Sequence, residues 1–242
     1  MTTNTGYKLV VISDLHLGMS DCKPKKMLSF LDNLKTDLLI LNGDIIDFDA
    51  MKRGSKWKKK HTSVLMKLLE ISKTTEVIYL RGNHDNEIKD LYEFALSNIK
   101  FSNEYIYETK NEKVLIFHGD IVDNLSKLKF LTQLGSIGYD IFLRLNTWYN
   151  NIRELFGLPY YSISKIVKEK FKEVVSFINN YEMNACDYAK MKGCDSVMCG
   201  HIHIPSIKEI NGMNYYNSGD WVENFSAIVL NQNDEWEIIY QD

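Results

Sequence analysis

The sequence has few of the residues that mark fibrous, disordered or disulfide-rich proteins. It contains 3 prolines and 13 glycines in 242 residues and shows no repeat or low-complexity stretch, which excludes collagen-like and disordered classes. Its 4 cysteines form no CxxC pair, so we expect reduced core residues rather than a thiolate metal site. The chain has the size and composition of a single domain, 1–242.

A long apolar run and a large net charge are also missing. No apolar segment approaches the ~20 residues of a membrane-spanning helix, and the first residues lack the pattern of a secretory signal. We therefore expect a cytoplasmic protein. The formal net charge is -3, so the surface as a whole predicts no nucleic-acid partner.

Short apolar runs alternate with amphipathic segments through the first hundred residues. Fully apolar runs bounded by Gly, Asn or Asp are typical of buried strands, and apolar residues at helical spacing indicate helices between them. This alternation predicts βαβ units and a mainly parallel sheet. The predicted strands are Tyr7 to Ser13, Asp37 to Leu41 and Glu76 to Leu80, and the predicted helices are Pro24 to Leu34 and Ser63 to Ser72.

The pattern changes in the second half of the chain. Short apolar runs without room for long helices between them favour a second sheet, mixed or antiparallel. A largely helical insertion, 123–193, separates two groups of these runs, and it contains a helix from about Ser162 to Asn180. The predicted strands are Tyr105 to Tyr107, Val114 to Phe117, Ser196 to Cys199, Met213 to Asn217, Ala227 to Leu230 and Glu235 to Tyr240.

Polar residues follow the ends of these apolar runs. Loops beyond the carboxyl ends of strands converge on one crevice in open α/β sheets, so residues far apart in sequence meet there. Five of the six histidines occupy such positions. Histidines distributed over a protein surface without a shared function would not be concentrated at strand ends. The residues concerned are Asp14, His16, Asp44, Asp47, Asn83, His84, Asp85, His118, Asp120, His201 and His203.

Such a mixture of carboxylate, amide and imidazole donors suits divalent manganese, iron or zinc, of which we expect manganese first. The donors are too many for one ion, and Asp44 is able to bridge two. Two ions about 3.5 to 4 Å apart activate water and stabilise the entering and leaving oxygens of a displacement at phosphorus. His84 has the titration range to protonate the leaving group, and Asp85 is expected to orient its ring.

Five blocks carry a resemblance to a known family. The blocks DLH, GDIID, GNHD, HGD and GHIH, which begin at Asp14, Gly43, Gly82, His118 and Gly200, resemble in order those of the calcineurin-like metallophosphoesterase superfamily. The resemblance implies an α/β fold, a four-layer αββα sandwich with two mixed β-sheets and a helical lid. It also implies that Asp47, Asp85 and Asp120 orient ligands. It assigns one ion to Asp14, His16, Asp44 and His203, and the other to Asp44, Asn83, His118 and His201.

Within that superfamily the chain is most similar to the bacterial UDP-2,3-diacylglucosamine diphosphatase branch. The segments Leu158 to Ser164 and Ser218 to Val229 carry this likeness, although His84 stands where that branch has arginine. The likeness implies hydrolysis of a nucleotide-linked lipid to UMP and a lipid phosphate, at the inner face of the cell membrane. The apolar insertion then serves as a lid for acyl chains; a self-buried helical hairpin and a dimer contact are its other interpretations.

Several alternatives stay open. The enzyme alternative is a soluble nucleotide or phosphoprotein phosphoesterase, with a DNA exonuclease third, and the non-enzyme alternative is a protein-binding scaffold of the same fold. Arg81, Asp123, Lys165 and Lys168 are candidate substrate contacts. The basic segment from Lys52 to His61 is either a solvated surface or one that gathers anions or acidic lipid headgroups. The oligomeric state is left open.

Overall fold

The protein is described by a computed structural model that covers residues 6–91, 98–123 and 163–241, together with Arg153 and Gly157. Side chains are described for the same residues except 89–91 and 163–171. The chain divides into two compact units, one formed by Met1–Val122 and Asn184–Asp242 and the other by Asp123–Met183. Most of the predicted insertion, including the apolar residues of the proposed lid, lies outside the described residues.

The described residues contain eleven strands, four α-helices and two short 3-10 helices, at Asn86–Leu91 and Asp120–Val122. The helices are α1 (Pro24–Asn33), α2 (Phe48–Lys52), α3 (Lys59–Ile71) and α4 (Ile163–Met191). The strands are β1 (Tyr7–Ile12), β2 (Thr36–Asn42), β3 (Glu76–Leu80), β4 (Ile99–Ser102), β5 (Glu104–Glu108), β6 (Lys113–Phe117), β7 (Ser196–Cys199), β8 (Ser206–Ile210), β9 (Met213–Asn217), β10 (Ser226–Leu230) and β11 (Trp236–Tyr240).

Both sheets are mixed. The first has the order β11-β10-β1-β2-β3-β4 and the second the order β5-β6-β7-β9-β8. Strands β1 to β4 are parallel, as the βαβ pattern predicts, and β6, β7 and β9 are parallel in the second sheet. The prediction was wrong for β10 and β11, which join the first sheet instead of the second. Strand β10 pairs antiparallel with β1, and all five of its residues are buried.

The hydrophobic core has two parts, one on each face of the first sheet. Val11 and Ile40 of this sheet pack with Ile116 and Met198 of the second, so the sheets lie face to face. On the other face, β1 and β2 pack against α1 and α3. Beyond the second sheet, the Tyr188 ring of α4 lies 5.1 Å from the Phe117 ring. These contacts give the α/β sandwich with two mixed sheets that the resemblance implies.

Of the two helices that cover the first sheet, α1 begins where the sequence predicts and α3 begins earlier. Pro24 occupies the first turn of α1, where its missing N–H costs no hydrogen bond. Helix α3 begins at Lys59, four residues before its predicted start. No helix in the described part of the chain is both long and apolar enough to cross a membrane.

Candidate metal centre

Every predicted ligand lies in a loop just after the carboxyl end of a strand. Strands β1, β2 and β3 are parallel neighbours, so their loops emerge at one edge of the first sheet. Strands β6 and β7 are parallel neighbours in the second sheet. We call the seven residues that these loops supply the ligand cup: Asp14, His16, Asp44, Asn83, His118, His201 and His203.

The backbone of the ligand cup is unusual. Asp14, His16, Asp44, His201 and His203 all adopt positive φ, between 47° and 66°. Left-handed backbone costs a non-glycine residue on the order of 1 kcal/mol or more, and such residues cluster at functional sites. Only eight non-glycine residues in the described part of the chain have positive φ, and five of them are in the cup. The fold therefore uses an unfavourable backbone to direct these side chains.

The ligand cup brings its donor atoms into two adjoining groups. Asp14, His16 and His203 each place one donor atom within 4.8 Å of the others. Asp44, His118 and His201 form a second group of the same dimensions. A third group joins His16 and Asp44 to His84, so Asp44 belongs to two of the groups. Each of these groups has the dimensions of a site that could hold a metal ion.

Backbone amides fix the two carboxylates of the cup. The amide of His201 donates to Asp14 Oδ2 at 3.1 Å, and the amide of His84 donates to Asp44 Oδ1 at 2.8 Å. His203 Nε2 lies 3.0 Å from Asp14 Oδ1, and His118 Nε2 lies 3.3 Å from Asp44 Oδ2. Each carboxylate thus has one contact with the backbone of a distant loop and another with an imidazole of the cup.

The cup histidines His16 and His118 are oriented through their Nδ1 atoms. His16 Nδ1 donates to Asp47 Oδ2 at 3.0 Å, and His118 Nδ1 donates to the Asn42 carbonyl at 2.9 Å. When either ring is neutral, its lone pair is therefore on Nε2, the arrangement usual in metal-binding histidines. Both Nε2 atoms are buried and make no hydrogen bond, as is also true of Asn83 Oδ1. Since buried polar atoms are nearly always partnered, these three donor atoms fit bound cations.

The carboxylates and imidazoles of the cup shift each other's pKa. Burial alone would raise the pKa of Asp44, but His118, His16 and His84 outweigh it and hold this pKa well below its usual range. For Asp14, burial is likewise outweighed, by His203 and His118, which lower the pKa to about 2. Burial lowers the pKa of His118, yet Asp44 and Asp14 raise it to about 10. At neutral pH this imidazole carries a proton that balances the carboxylates.

Two glycines make room for the carboxylates. A Cβ atom at Gly82 would lie 2.1 Å from Asp44 Oδ1 and 2.5 Å from the Asp44 backbone nitrogen. A Cβ atom at Gly200 would lie 2.5 Å from Asp14 Oδ2. Glycine is therefore required at both positions because the neighbouring loop carries a carboxylate against it.

His84 adjoins the cup and is held by Asp47. Its Nδ1 lies 3.2 Å from Asp47 Oδ1, and its Nε2 lies 4.0 Å from Asp44 Oδ2. Asp47 also accepts from the Ala50 amide at 2.6 Å as the N-cap of α2. Burial would raise the pKa of Asp47, but the hydrogen bonds with His16 and His84 lower it well below its usual range. Asp47 is thus an ionised acceptor that holds both rings.

Asp85 does not have the position we expected beside the His84 ring. Its buried carboxylate accepts from the Gly82 amide at 2.6 Å, the Ile45 amide at 2.8 Å and the Tyr79 hydroxyl at 2.8 Å. Asp85 therefore joins the loop after β3 to the loop after β2. Asp47 orients the ring instead.

Asp120 and Arg81 bind each other. The Arg81 guanidinium donates to Asp120 Oδ2 at 2.9 Å and to Asn103 Oδ1 at 2.9 Å. The charge of Asp120 also acts on the cup, where it helps to raise the pKa of His118. The substrate contact of Arg81 stays a prediction. Asp123 begins the second unit, and the side chains of Lys165 and Lys168 lie outside the described ones. The substrate roles of these three residues stay predictions.

Sequence reasoning missed Asp220 in the loop after β9. Its buried carboxylate accepts from the amides of Val222 at 2.7 Å and Glu223 at 2.6 Å and is hydrogen-bonded to Asn224. Asn224 donates in turn to the His203 carbonyl at 2.9 Å. Asp220 thus supports the loop that carries His203. Its signal was the one used for the ligands, a polar residue just after a strand.

Three solved structures are among those similar to this chain. YfcE, a phosphoesterase from E. coli, is 14% identical over 97% of this chain and 99% of its own, with a TM-score of 0.49. Vps29 from Entamoeba histolytica, in complex with zinc, is 14% identical over 97% and 99%, with a TM-score of 0.47. An archaeal phosphodiesterase is 14% identical over 96% and 98%, with a TM-score of 0.45. At these values none of them indicates a substrate for this chain.

The sequence itself gives the stronger comparison. No curated protein matches the chain. Residues 7–205 match the family model of the calcineurin-like phosphoesterases, a range that contains the whole ligand cup together with Asp47 and His84. The chain belongs to the calcineurin-like phosphoesterase family and is a metal-dependent hydrolase of phosphoester bonds.

Proposed function

We propose that the ligand cup holds two divalent ions and that the protein hydrolyses a phosphoric ester or anhydride bound beside them. The observation that carries this proposal is the set of three buried donor atoms that make no hydrogen bond, His16 Nε2, His118 Nε2 and Asn83 Oδ1. All three belong to residues that the sequence motifs select as ligands. The Asp44 carboxylate, 3.3 Å from His118 Nε2, would share the ion with that ring. Metal content measured after reconstitution with manganese, iron or zinc tests it directly, and fewer than two ions per chain would contradict it.

The two groups of donor atoms support a division of the cup. Asp14, His16 and His203 would hold one ion and His118, His201 and Asn83 the other, with Asp44 shared. When bound, such a pair of ions supplies activated water and positive charge for the phosphoryl oxygens. Manganese is our first choice for both positions, since no thiolate is present and the donors are carboxylate, amide and imidazole. Activity measured after reconstitution with each metal would rank them.

The residues around His84 support its role as the proton donor. Its Nδ1 is held by the Asp47 carboxylate, so its Nε2 is directed toward the cup, 4.0 Å from Asp44 Oδ2. Its side chain is 17% exposed, which leaves a path to a bound substrate. An imidazole can give a proton to a leaving oxygen at neutral pH, whereas the arginine of the related branch keeps its proton.

His84→Ala is expected to lower turnover about 10²-fold or more for an alkyl phosphodiester, because an alkoxide leaving group needs a proton. The loss should be much smaller for a nitrophenyl diester, whose leaving group departs without one. Steady-state rates on both substrates, with metal content as the control for an intact cup, measure the difference. Equal losses on the two substrates would assign His84 to binding instead of proton transfer.

Metal binding is expected to release protons. Burial lowers the pKa of His203, but Asp14 raises it to about 9, and the pKa of His118 is raised to about 10. Both rings are therefore protonated at pH 7 in the metal-free protein, and an ion must displace these protons. Apparent affinity should rise as pH approaches 9. Calorimetry at pH 7 in two buffers of different ionisation enthalpy measures the release, and identical heats would contradict it.

For the substrate, we propose a nucleotide-linked lipid pyrophosphate such as UDP-2,3-diacylglucosamine. The support is the likeness of the insertion segments and of Ser218 to Val229, a segment in which Asn224 donates to the His203 carbonyl. Trp148→Ala combined with Phe142→Ala in the insertion should reduce turnover of an acylated substrate far more than turnover of a nitrophenyl diester. Equal losses would favour a soluble nucleotide or phosphoprotein substrate, and the absence of metal-dependent hydrolysis would favour a scaffold.

A further inference from the structure

A strongly basic surface lies beside the ligand cup, at the start of α1 and α3. We call it the lysine patch; its members are the exposed residues Lys23, Lys25, Lys56, Lys58, Lys59 and Lys60. In the described part of the chain, none of them forms an ion pair with an acidic side chain. Other lysines nearby are neutralised, since Lys52 at the end of α2 pairs with Glu87, and Lys67 of α3 pairs with Asp32 at 3.0 Å.

One buried contact and one exposed contact join the two halves of the patch. Cys22 Sγ lies 3.2 Å from His61 Nε2, which joins the residue before Lys23 to the first turn of α3. Lys58 Nζ donates to the Ser20 carbonyl at 3.4 Å. As a result Lys25 and Lys60 approach closely enough that Lys25 lowers the pKa of Lys60. The fold thus maintains a repulsion between like charges at its surface.

The helix ends add to this positive potential. Neither α1 nor α3 has an acidic residue in its first turn, where a carboxylate would be stabilised by the helix dipole. Lysines occupy these turns instead, at a cost to stability. A sequence that departs from the favourable arrangement at both neighbouring helices indicates a function for the charge.

An exposed tryptophan lies within the patch. The Trp57 ring packs edge-on against His61 at 5.0 Å, and its Nε1 donates to Thr62 Oγ1 at 2.8 Å. These contacts fix the ring while 36% of it stays exposed among the lysines. Clusters of four to eight cations attract acidic lipid headgroups, and tryptophan is the side chain most typical of the membrane interface. A single aromatic ring is a poor platform for nucleic acid, which needs stacked bases.

We infer that the lysine patch binds the surface of a bilayer that contains acidic phospholipids. The patch borders the cup, because Ser20, which accepts from Lys58, is four residues from His16, and the loop between them pairs with Ile46 through Leu17. Binding there holds the metal centre next to the headgroup layer. The inference goes beyond the proposed hydrolysis, since the lipid surface is a partner and no substrate is involved in its binding.

The test compares two triple variants of the full chain that lose the same charge. Lys25→Gln with Lys59→Gln and Lys60→Gln removes half of the patch and leaves Lys58, which contacts Ser20, in place. Lys35→Gln with Lys73→Gln and Lys190→Gln removes three exposed lysines from other parts of the surface. Each protein is sedimented with vesicles of phosphatidylcholine alone and of phosphatidylcholine mixed with phosphatidylglycerol, at about 0.1 M salt.

The natural protein is expected to bind only the mixed vesicles. The patch variant should lose about 100-fold in partition, at roughly fivefold per lysine near an acidic surface, and the control variant should keep its binding. Equal binding by the two variants, no binding by the natural protein, or preference for a short nucleic-acid duplex would each overturn the inference. Hydrolysis of a soluble nitrophenyl diester by the patch variant is expected to be unchanged, so a failure of vesicle binding is distinguishable from a failure of the proposed hydrolysis.

Discussion

Asp44→Asn is expected to lower metal-dependent hydrolysis about 10³-fold or more and to leave at most one ion bound per chain. Asp44 Oδ2 faces His118 Nε2 at 3.3 Å and His16 Nε2 at 3.9 Å, so this oxygen lies between the two groups of donor atoms. An amide keeps the shape of the side chain and one acceptor for the His84 amide, but it does not bridge two cations with a negative charge. Loss of several kcal/mol of transition-state stabilisation corresponds to a rate loss of this size.

Elemental analysis and steady-state rates measure both effects of Asp44→Asn. Asp32→Asn is the matched control. Asp32 is exposed on α1, forms an ion pair with Lys67 and is not part of the ligand cup. An exposed pair of this kind contributes little to stability, so the control should keep both ions and its rate. Two bound ions and an unchanged rate in Asp44→Asn would contradict the shared position of Asp44.

The position of the ligand cup was predictable because strand ends are readable in this sequence. Buried parallel strands give uninterrupted apolar runs, and the predicted runs Glu76 to Leu80 and Ser196 to Cys199 match β3 and β7 at both ends. Once the runs are known, the polar residues that follow them must lie at one edge of the sheets. The chemistry of those residues then limits what the edge can bind.

Strand partners were less predictable than strand positions. Strand β10 is apolar and buried throughout, so its composition fits either sheet equally well, and only packing decides that it lies beside β1. Helix α2 was missed because five residues are too few for an apolar period. The helix begins after the N-cap residue Asp47. In the sequence, Asp47 is equally well explained as part of the metal-binding block GDIID.

The roles of neighbouring carboxylates were predictable only in part. Asp47 contacts the ligand His16, as the resemblance implies, but the partner of the His84 ring was predicted wrongly. Asp85 is adjacent to His84 in sequence, but its carboxylate binds Tyr79 and backbone amides, while Asp47 reaches the His84 ring. Side-chain direction in such loops depends on backbone conformation, and the positive φ of 54° at Asp44 has no clear sequence signal. The same is true of the pairing between Arg81 and Asp120. Motif spacing predicts which residues lie near one another. The backbone conformation of the loops determines which of them make contact.

Gly82→Ala is expected to destabilise the fold by about 2–4 kcal/mol and to empty at least one metal position. The new methyl group would lie 2.1 Å from Asp44 Oδ1 and 2.5 Å from the Asp44 backbone nitrogen. The side chain of Asp44 could turn away only by leaving the cup. Its backbone is held by two hydrogen bonds, from the Asp44 amide to Asp85 Oδ1 at 3.2 Å and from the His16 amide to the Asp44 carbonyl at 2.9 Å. Gly82 cannot retreat either, because its amide donates to Asp85 Oδ1 at 2.6 Å and Asp85 also holds the Ile45 amide.

Gly54→Ala is the matched control for this prediction. Gly54 has a φ of +100° but no atom within 4 Å of an added Cβ, so alanine there meets backbone strain without a clash. It should cost about 1 kcal/mol and leave both ions bound. Urea denaturation of the metal-free proteins measures the stability difference, and elemental analysis measures the ions. Equal destabilisation by the two variants would mean that Gly82 is selected for backbone freedom; a larger loss at Gly82, accompanied by loss of metal, follows if it is selected for the space that Asp44 occupies.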